Sequence, residues 1–188
     1  LHMRVLRSPH YHARLTSLDT EEARRVPGVV RVLAAADVPG KNSFVEYSQA
    51  EPVLPPGGET LRMRGAPIAL IVAETPAAAE AGLAAIQAGY EVLPHTFDLD
   101  AALDGAPPIA GGQNILGTHS LKHGDLGAAF QASSTILETQ YTTSYLEHAA
   151  LERETLLGYV DEAGRVTVSG GTHEPHFQQG YIADALAL

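Results

Sequence analysis

The chain of 188 residues contains no cysteine. That absence excludes disulfides, zinc–thiolate sites, iron–sulfur ligation and a thiol nucleophile within these residues, so any iron–sulfur centre belongs elsewhere. Cations are few: 12 Lys and Arg against 22 Asp and Glu give a formal net charge of −10, the opposite of what a phosphate-tracking surface needs. The acidity is read as solubility. No Gly-x-Gly-x-x-Gly follows a strand and no Walker-type Gly-x-x-x-x-Gly-Lys occurs, so no dinucleotide or NTP site is expected and a flavin would bind outside these residues. No apolar run reaches the roughly 18 to 20 residues that span a bilayer, and the start lacks the basic, apolar and small-residue order of a secretory signal. These absences lead to the expectation of a soluble, cytoplasmic chain. Its ends, Leu1 in an apolar run and Leu188 in a helical pattern, read as cut.

Short strands are expected at Arg4 to Leu6 and Arg14 to Leu18, flanking a Ser8-Pro9-His10 turn in which Pro9 has no ladder donor. Asp19-Thr20-Glu21-Glu22 reads as a capping box opening a helix to Arg25, with the Asp19 carboxylate accepting from the Glu22 amide. Val29 to Leu33 is a strand after the Pro27-Gly28 break, and the Pro- and Gly-rich residues 40 to 60 are loop-like. Ile68 to Ala73 is a continuous apolar run of strand length, buried on both faces. Thr75 caps a helix with Pro76 at its first position and Ala77 to Ala88 as its body, stopped by Gly89. With Tyr90 to Leu93 as the next strand, this makes a strand–helix–strand order of right-handed crossover length. Asp104 to Gly112 reads as a linker. Beyond it come a short helix at Asp125 to Gln131, an extended edge or crossover strand at Thr135 to Thr143, and a hairpin of Thr155 to Val160 with Arg165 to Val168. Pro175 opens a last helix with an apolar face. The fold class is α+β in two lobes, 1–104 and 125–188, joined by a linker over 105–124.

Four stretches in order resemble one enzyme family. They are Leu6-Arg7-Ser8-Pro9-His10 with Val26-Pro27-Gly28-Val29-Val30, then Ala35-Ala36-Asp37-Val38-Pro39-Gly40, then Arg64-Gly65-Ala66-Pro67 to Thr75, and Tyr141 to Glu152 with Glu147-His148. Over nearly the whole chain this text is similar to the molybdenum-bearing subunit of the xanthine dehydrogenase and aldehyde oxidase family. The resemblance implies an α/β hammerhead domain followed by the truncated beginning of a molybdopterin-binding α+β domain. It further implies a hydroxylase in which a Mo–OH attacks an electron-poor carbon of an aldehyde or N-heterocycle while hydride passes to a sulfido ligand. Molybdopterin would then be the cofactor of the full-length parent. A 2Fe-2S centre and FAD are expected on partner domains or subunits, and a second copy of the chain, as a homodimer, is kept among the candidate partners. Neither nucleic acid nor a membrane is expected as a partner.

Among candidate site residues, His10-x-His12 and His173-x-x-His176 supply only pairs, short of the three or more convergent ligands of a metal site, and the structural reading is preferred. In the resembled family the metal has no protein ligand. Glu147 and His148, with Glu152, place carboxylates near an imidazole, yet sequence neighbours on a strand face opposite sides, so both readings stay open. The resemblance puts Leu146, Glu147 and His148 beside the cofactor, where many members carry Gln at the position of Leu146. His173 likewise stands where the family has Gln. The base Glu and the Gly-rich run of the family are not in this chain, so no catalytic residue is expected here and the chain alone should be silent, binding neither molybdopterin nor iron. A reading from another class stays beside it: a cofactor-free assembly or binding module of the same fold, kept open by Leu146 and His173. Asn42, Glu46 and Gln49 carry no assigned chemistry.

Overall fold

A computed structural model describes the chain except residues 47–48, 110–111, 113, 116 and 147–154. Two compact units result, one of Leu1–Leu116 with His176–Leu188 and the other of Gly117–Pro175. The last helix thus joins the first unit. Its place in the sequence groups it instead with the second lobe, and would leave its apolar face to fray or to pair with another copy.

In the first unit, β1 (His2–Arg7), β7 (Pro67–Ala73) and β3 (Val29–Leu33) form one sheet with β7 in the middle; β6 (Thr60–Leu61), β2 (Ala13–Asp19) and β8 (Gln87–Val92) form another. Every pairing is antiparallel. The expected parallel crossover between Ile68–Ala73 and Tyr90–Leu93 is therefore corrected: α2 (Pro76–Ala85) carries the chain from one sheet to the other. Strand propensity does not choose a neighbour, and β8 finds its partner in β2, with Ser17 opposite Gly89. That pairing also recruits Gln87 and Ala88 into the strand, so α2 ends before the expected Ala88 and Gly89 lies inside a strand.

β7 is buried on both sides. Because strand side chains alternate, Ile71 and Ala73 face one core with Ala23, Val32 and Ala79. Ile68 faces another with Leu15 and Leu61. Helix α2 starts as its sequence demands: Thr75 Oγ1 accepts from the Ala78 amide at 3.1 Å, ahead of Pro76. The short α1 (Glu21–Arg25) starts one residue later than the capping-box reading required. Asp19 consequently accepts from the Glu21 amide at 2.9 Å, an Asx-type turn, instead of from Glu22.

Residues 40 to 60 are more ordered than a loop. A hairpin of β4 (Phe44–Glu46) and β5 (Gln49–Glu51) stands there. Its base is closed by Asn42, which donates from Nδ2 to the Leu54 carbonyl at 2.7 Å and accepts the Leu54 amide at 3.0 Å. The stretch after α3 (Leu99–Leu103) is also tied down, since Asn114 Nδ2 donates to the carbonyls of Ala102 and Ala106, each at 2.8 Å.

The second unit holds α4 (Leu126–Ala132), capped by Asp125, and the hairpin of β9 (Leu156–Val160) with β10 (Val166–Gly170). Thr135 to Thr143, expected as a strand, has no strand partner among the described residues, with Leu137 at 88% and Tyr141 at 87% exposure. β-forming residues make a strand only where a neighbour completes the ladder. The chain closes with α5 (Pro175–Leu186). Among the described residues no helix is long and apolar enough to cross a membrane.

Candidate functional site

Two motif stretches far apart in sequence are laced together at one end of the first unit. The Ser8 amide donates to the Ala66 carbonyl at 2.9 Å, the Gly65 amide donates to the Ser8 carbonyl at 2.8 Å, and Arg7 Nη1 donates to the Gly65 carbonyl at 2.8 Å. Ser8 is buried and its hydroxyl both accepts from the His10 amide and donates to the His10 carbonyl, which holds the turn. Gly65 has φ +91°, a conformation that glycine adopts without a Cβ clash.

The histidines of this end do not converge. His12 is buried, and its Nδ1 lies 2.6 Å from the Pro94 carbonyl, an acceptor that assigns the proton to that nitrogen. His10 sits edge-on against Tyr90 at 5.0 Å, and burial pushes the Tyr90 phenol above its usual pKa. Beyond them Tyr11, His95 and Phe97 form a cluster of touching rings, with Phe97 edge-on to both of the others and the Arg64 guanidinium 5.7 Å from the Tyr11 ring centre. A shallow groove of about 80 Å³, lined by Phe44, Pro55, Leu61, Met63 and Pro67, borders the same turn. Neither the ring group nor the groove was legible in sequence, since residues 11, 64, 95 and 97 meet only through sheet pairing.

In the second unit, Leu146 is 84% exposed, in a stretch with no strand partner among the described residues. It is not a core residue of this chain. Glu147, His148 and Glu152 lie outside the described residues. His173 is exposed in the bend ahead of α5. Thr172 is exposed beside it, its hydroxyl accepting the Glu174 amide at 3.3 Å. Among the described residues, no three His, Asp or Glu side chains gather as a metal site.

The hairpin turn supplies one pH-dependent element. Arg165 and Ala163 amides donate to Asp161 Oδ1, each at 2.9 Å, and Arg165 Nε donates to Oδ2 at 2.8 Å. The Arg165 backbone hydrogen bond leads the causes that hold the Asp161 carboxyl below its usual pKa. A folded pKa below the unfolded one means that the contribution is present above the unfolded value and is lost as pH falls through the folded value. The Gly164 amide should therefore lose protection from exchange on acidification below the ordinary aspartate range. Asp161→Asn should abolish that step; an unchanged acid profile in the variant would assign it elsewhere.

Two antiparallel sheets bridged by α2, followed by a helix and a hairpin, define an α+β architecture with a hammerhead first unit. The chain belongs to the aldehyde oxidase and xanthine dehydrogenase family: residues 1–94 match its a/b hammerhead domain and residues 110–188 match the molybdopterin cofactor-binding domain. It is 37% identical to the nicotinate dehydrogenase large molybdopterin subunit of Eubacterium barkeri, over 100% of this chain and 44% of that protein. It is 34% identical to a probable xanthine dehydrogenase subunit of Bacillus subtilis, over 98% of this chain and 25% of the relative. Among solved structures, quinoline 2-oxidoreductase from Pseudomonas putida 86 superposes with a TM-score of 0.79 at 28% identity, over 98% of this chain and 25% of that one. The chain thus spans less than half the length of these proteins.

Proposed function

We propose that this chain is the hammerhead domain and the first part of the cofactor-binding domain of a molybdenum hydroxylase that oxidises an N-heteroaromatic or aldehyde substrate. The carrying observation is the order of two family matches along one chain, 1–94 and then 110–188. Relatives named for nicotinate and for quinoline favour an N-heteroaromatic substrate over an aldehyde. In this reading 1–104 is the hammerhead lobe, 105–124 the linker and 125–188 the start of the cofactor lobe. Molybdopterin supplies the redox centre, with the 2Fe-2S and FAD groups on cytoplasmic partner domains or subunits. Leu146, Glu147 and His148 run beside the cofactor.

The complete polypeptide that carries this chain, purified with its partners, should hold close to one molybdenum and one pterin per chain and should oxidise nicotinate or a related N-heteroaromatic with oxygen drawn from water. Metal-free, pterin-free protein would return the assignment to an assembly module. Leu146→Gln tests the site. On the 188-residue chain, where Leu146 is exposed, it should leave stability within about 0.5 kcal/mol of wild type. In the complete polypeptide it adds one donor, a hydrogen bond contributing roughly 0.5 to 1.5 kcal/mol, and should shift the metal-centre spectrum. An unmoved spectrum and unmoved kinetics would remove Leu146 from the cofactor's neighbourhood.

A further inference from the structure

Cations are scarce in this chain and unevenly placed. Residues 1–64 hold nine Lys and Arg against seven Asp and Glu, whereas the remaining residues hold three against fifteen. In the first unit Arg4 is matched by Glu80, Arg14 by Glu91, Arg25 by Glu21 and Glu22, and Lys41 by Asp184. Arg7, Arg62 and Arg64 have no carboxylate partner among the described residues, and all three are rooted at the turn where Ser8 is laced to Gly65 and Ala66. Their donors are largely unspent. A guanidinium carries five N–H groups. Arg7 uses one on the Gly65 carbonyl, Arg64 uses one on the Tyr11 hydroxyl at 3.4 Å, and Arg62 makes no hydrogen bond among the described residues. Three like charges at one turn repel one another, and a carboxylate brought from elsewhere relieves that repulsion.

Apolar surface lies beside these arginines. Next to Arg62 is the groove of about 80 Å³ walled by Phe44, Pro52, Pro55, Leu61, Met63 and Pro67, and around the same turn Tyr11, Met63 and Phe97 are exposed. That volume is far below the roughly 300 to 1,000 Å³ of a pocket that holds a substrate or cofactor. It suits a single side chain. The acids near this end are few: Asp98 Oδ1 is engaged by the Ala101 amide at 2.7 Å, Glu91 by Arg14, and Glu51 on the groove wall pairs with none of the three arginines.

We propose that this turn is a docking surface for an acidic segment of a partner protein, one of whose aliphatic side chains enters the groove while flanking carboxylates are received by Arg7, Arg62 and Arg64. Charge complementarity selects the occupant. Arginine receives a carboxylate through paired N–H donors, and the Tyr11 ring, 5.7 Å from the Arg64 guanidinium, helps to hold that guanidinium in place. The net charge of −10 opposes a long polyanion such as a nucleic acid. A short acidic segment needs only the field of the cluster itself, which reaches about 8 to 10 Å at ordinary salt.

The test titrates the complete polypeptide with a fluorescein-labelled peptide, Glu-Asp-Leu-Glu-Asp, followed by fluorescence anisotropy. Binding should be measurable below about 1 mM, a weak contact on the scale of protein affinities, and should weaken as salt is raised. Arg64→Glu and Arg7→Glu should each weaken it by roughly tenfold, the scale of one hydrogen bond to a charged group. Arg31→Glu, at an exposed arginine of β3 that also lacks an acid partner among the described residues, should leave it unchanged. A peptide with Ser in place of Leu should also bind roughly tenfold more weakly, because the aliphatic burial is lost. On the wild type, the peptide should keep phenylglyoxal from modifying Arg7, Arg62 and Arg64 but not Arg31, as mapped by peptide mass; this footprint decides alone if a variant does not fold. No binding, equal binding of the Ser peptide or of Lys-Lys-Leu-Lys-Lys, or a footprint elsewhere overturns the proposal. Equal competition by inorganic phosphate would reduce the turn to an unselective anion patch and overturns it as well. So does self-association of the polypeptide that Arg64→Glu abolishes, which assigns the face to a second copy. Molybdenum content bears on the functional reading only and does not enter this test.

Discussion

Truncating Ile71 to alanine should cost this chain about 3 to 4 kcal/mol, a large share of the roughly 5 to 15 kcal/mol by which domains are ordinarily stable. Ile71 is fully buried in the middle strand of its sheet, in the cluster of Val32, Ala23, Ala73 and Ala79. Those neighbours decide the size of the effect. A cavity costs least where long side chains can swing in to fill it; here the buried neighbours are Ala or a stiff β-branched Val, and the longer Leu83 and Ile86 pack only at the partly buried margin. Urea unfolding of wild type and variant measures the difference. Leu137→Ala, at an 88% exposed position, serves as the control and should stay within about 0.5 kcal/mol. A loss below about 1 kcal/mol at Ile71 would mean that the helix layer collapses onto the gap.

The second large effect is expected at Gly82, in the middle of α2. Helix propensity alone says that Gly82→Ala should stabilise by about 1 kcal/mol. The packing says the reverse, because a Cβ there would meet Val29 Cγ2 at 2.8 Å and Ile71 Cγ2 at 3.2 Å. Neither methyl group belongs to a side chain that can swing aside, since both residues are β-branched and Ile71 is enclosed. Overpacking at such a site costs about 1 to 3 kcal/mol, so alanine should come out mildly destabilising and Gly82→Val should lose about 2 to 3 kcal/mol. Thermal melts of the two variants order them. If Gly82→Ala melts above wild type, the helix sits farther from the sheet than this contact implies.

The same helix shows why some of the molecule is legible in sequence and some is not. Thr75 and Pro76 announce the start of α2 through groups three residues apart, and the apolar run after Pro67 announces a strand buried on both faces. Both statements rest on interactions that a few neighbouring residues settle among themselves. The end of α2 does not announce itself, because its last expected residues, Gln87 and Ala88, are claimed by Ser17 to Asp19 on β2. Thr135 to Thr143 fails in the opposite sense, with strong strand formers and no strand partner among the described residues.

The candidate site divides in the same way. Motif text alone was enough to determine the family, because the order of Arg7-Ser8-Pro9-His10, Val26-Pro27-Gly28 and Arg64-Gly65-Ala66-Pro67 is carried by residue identity and needs no coordinates. Composition determined that no thiolate chemistry resides here. Tertiary structure decided that the first and third of those motifs touch, that His12 spends its Nδ1 on the Pro94 carbonyl, that Asn42 closes a hairpin, and that Gly40 clears space for the end of α5. Each of these is a hydrogen bond or a clearance of about an ångström between residues a dozen to well over a hundred positions apart. Local preference does not reach that far; only strand pairing and packing bring such residues within bonding distance.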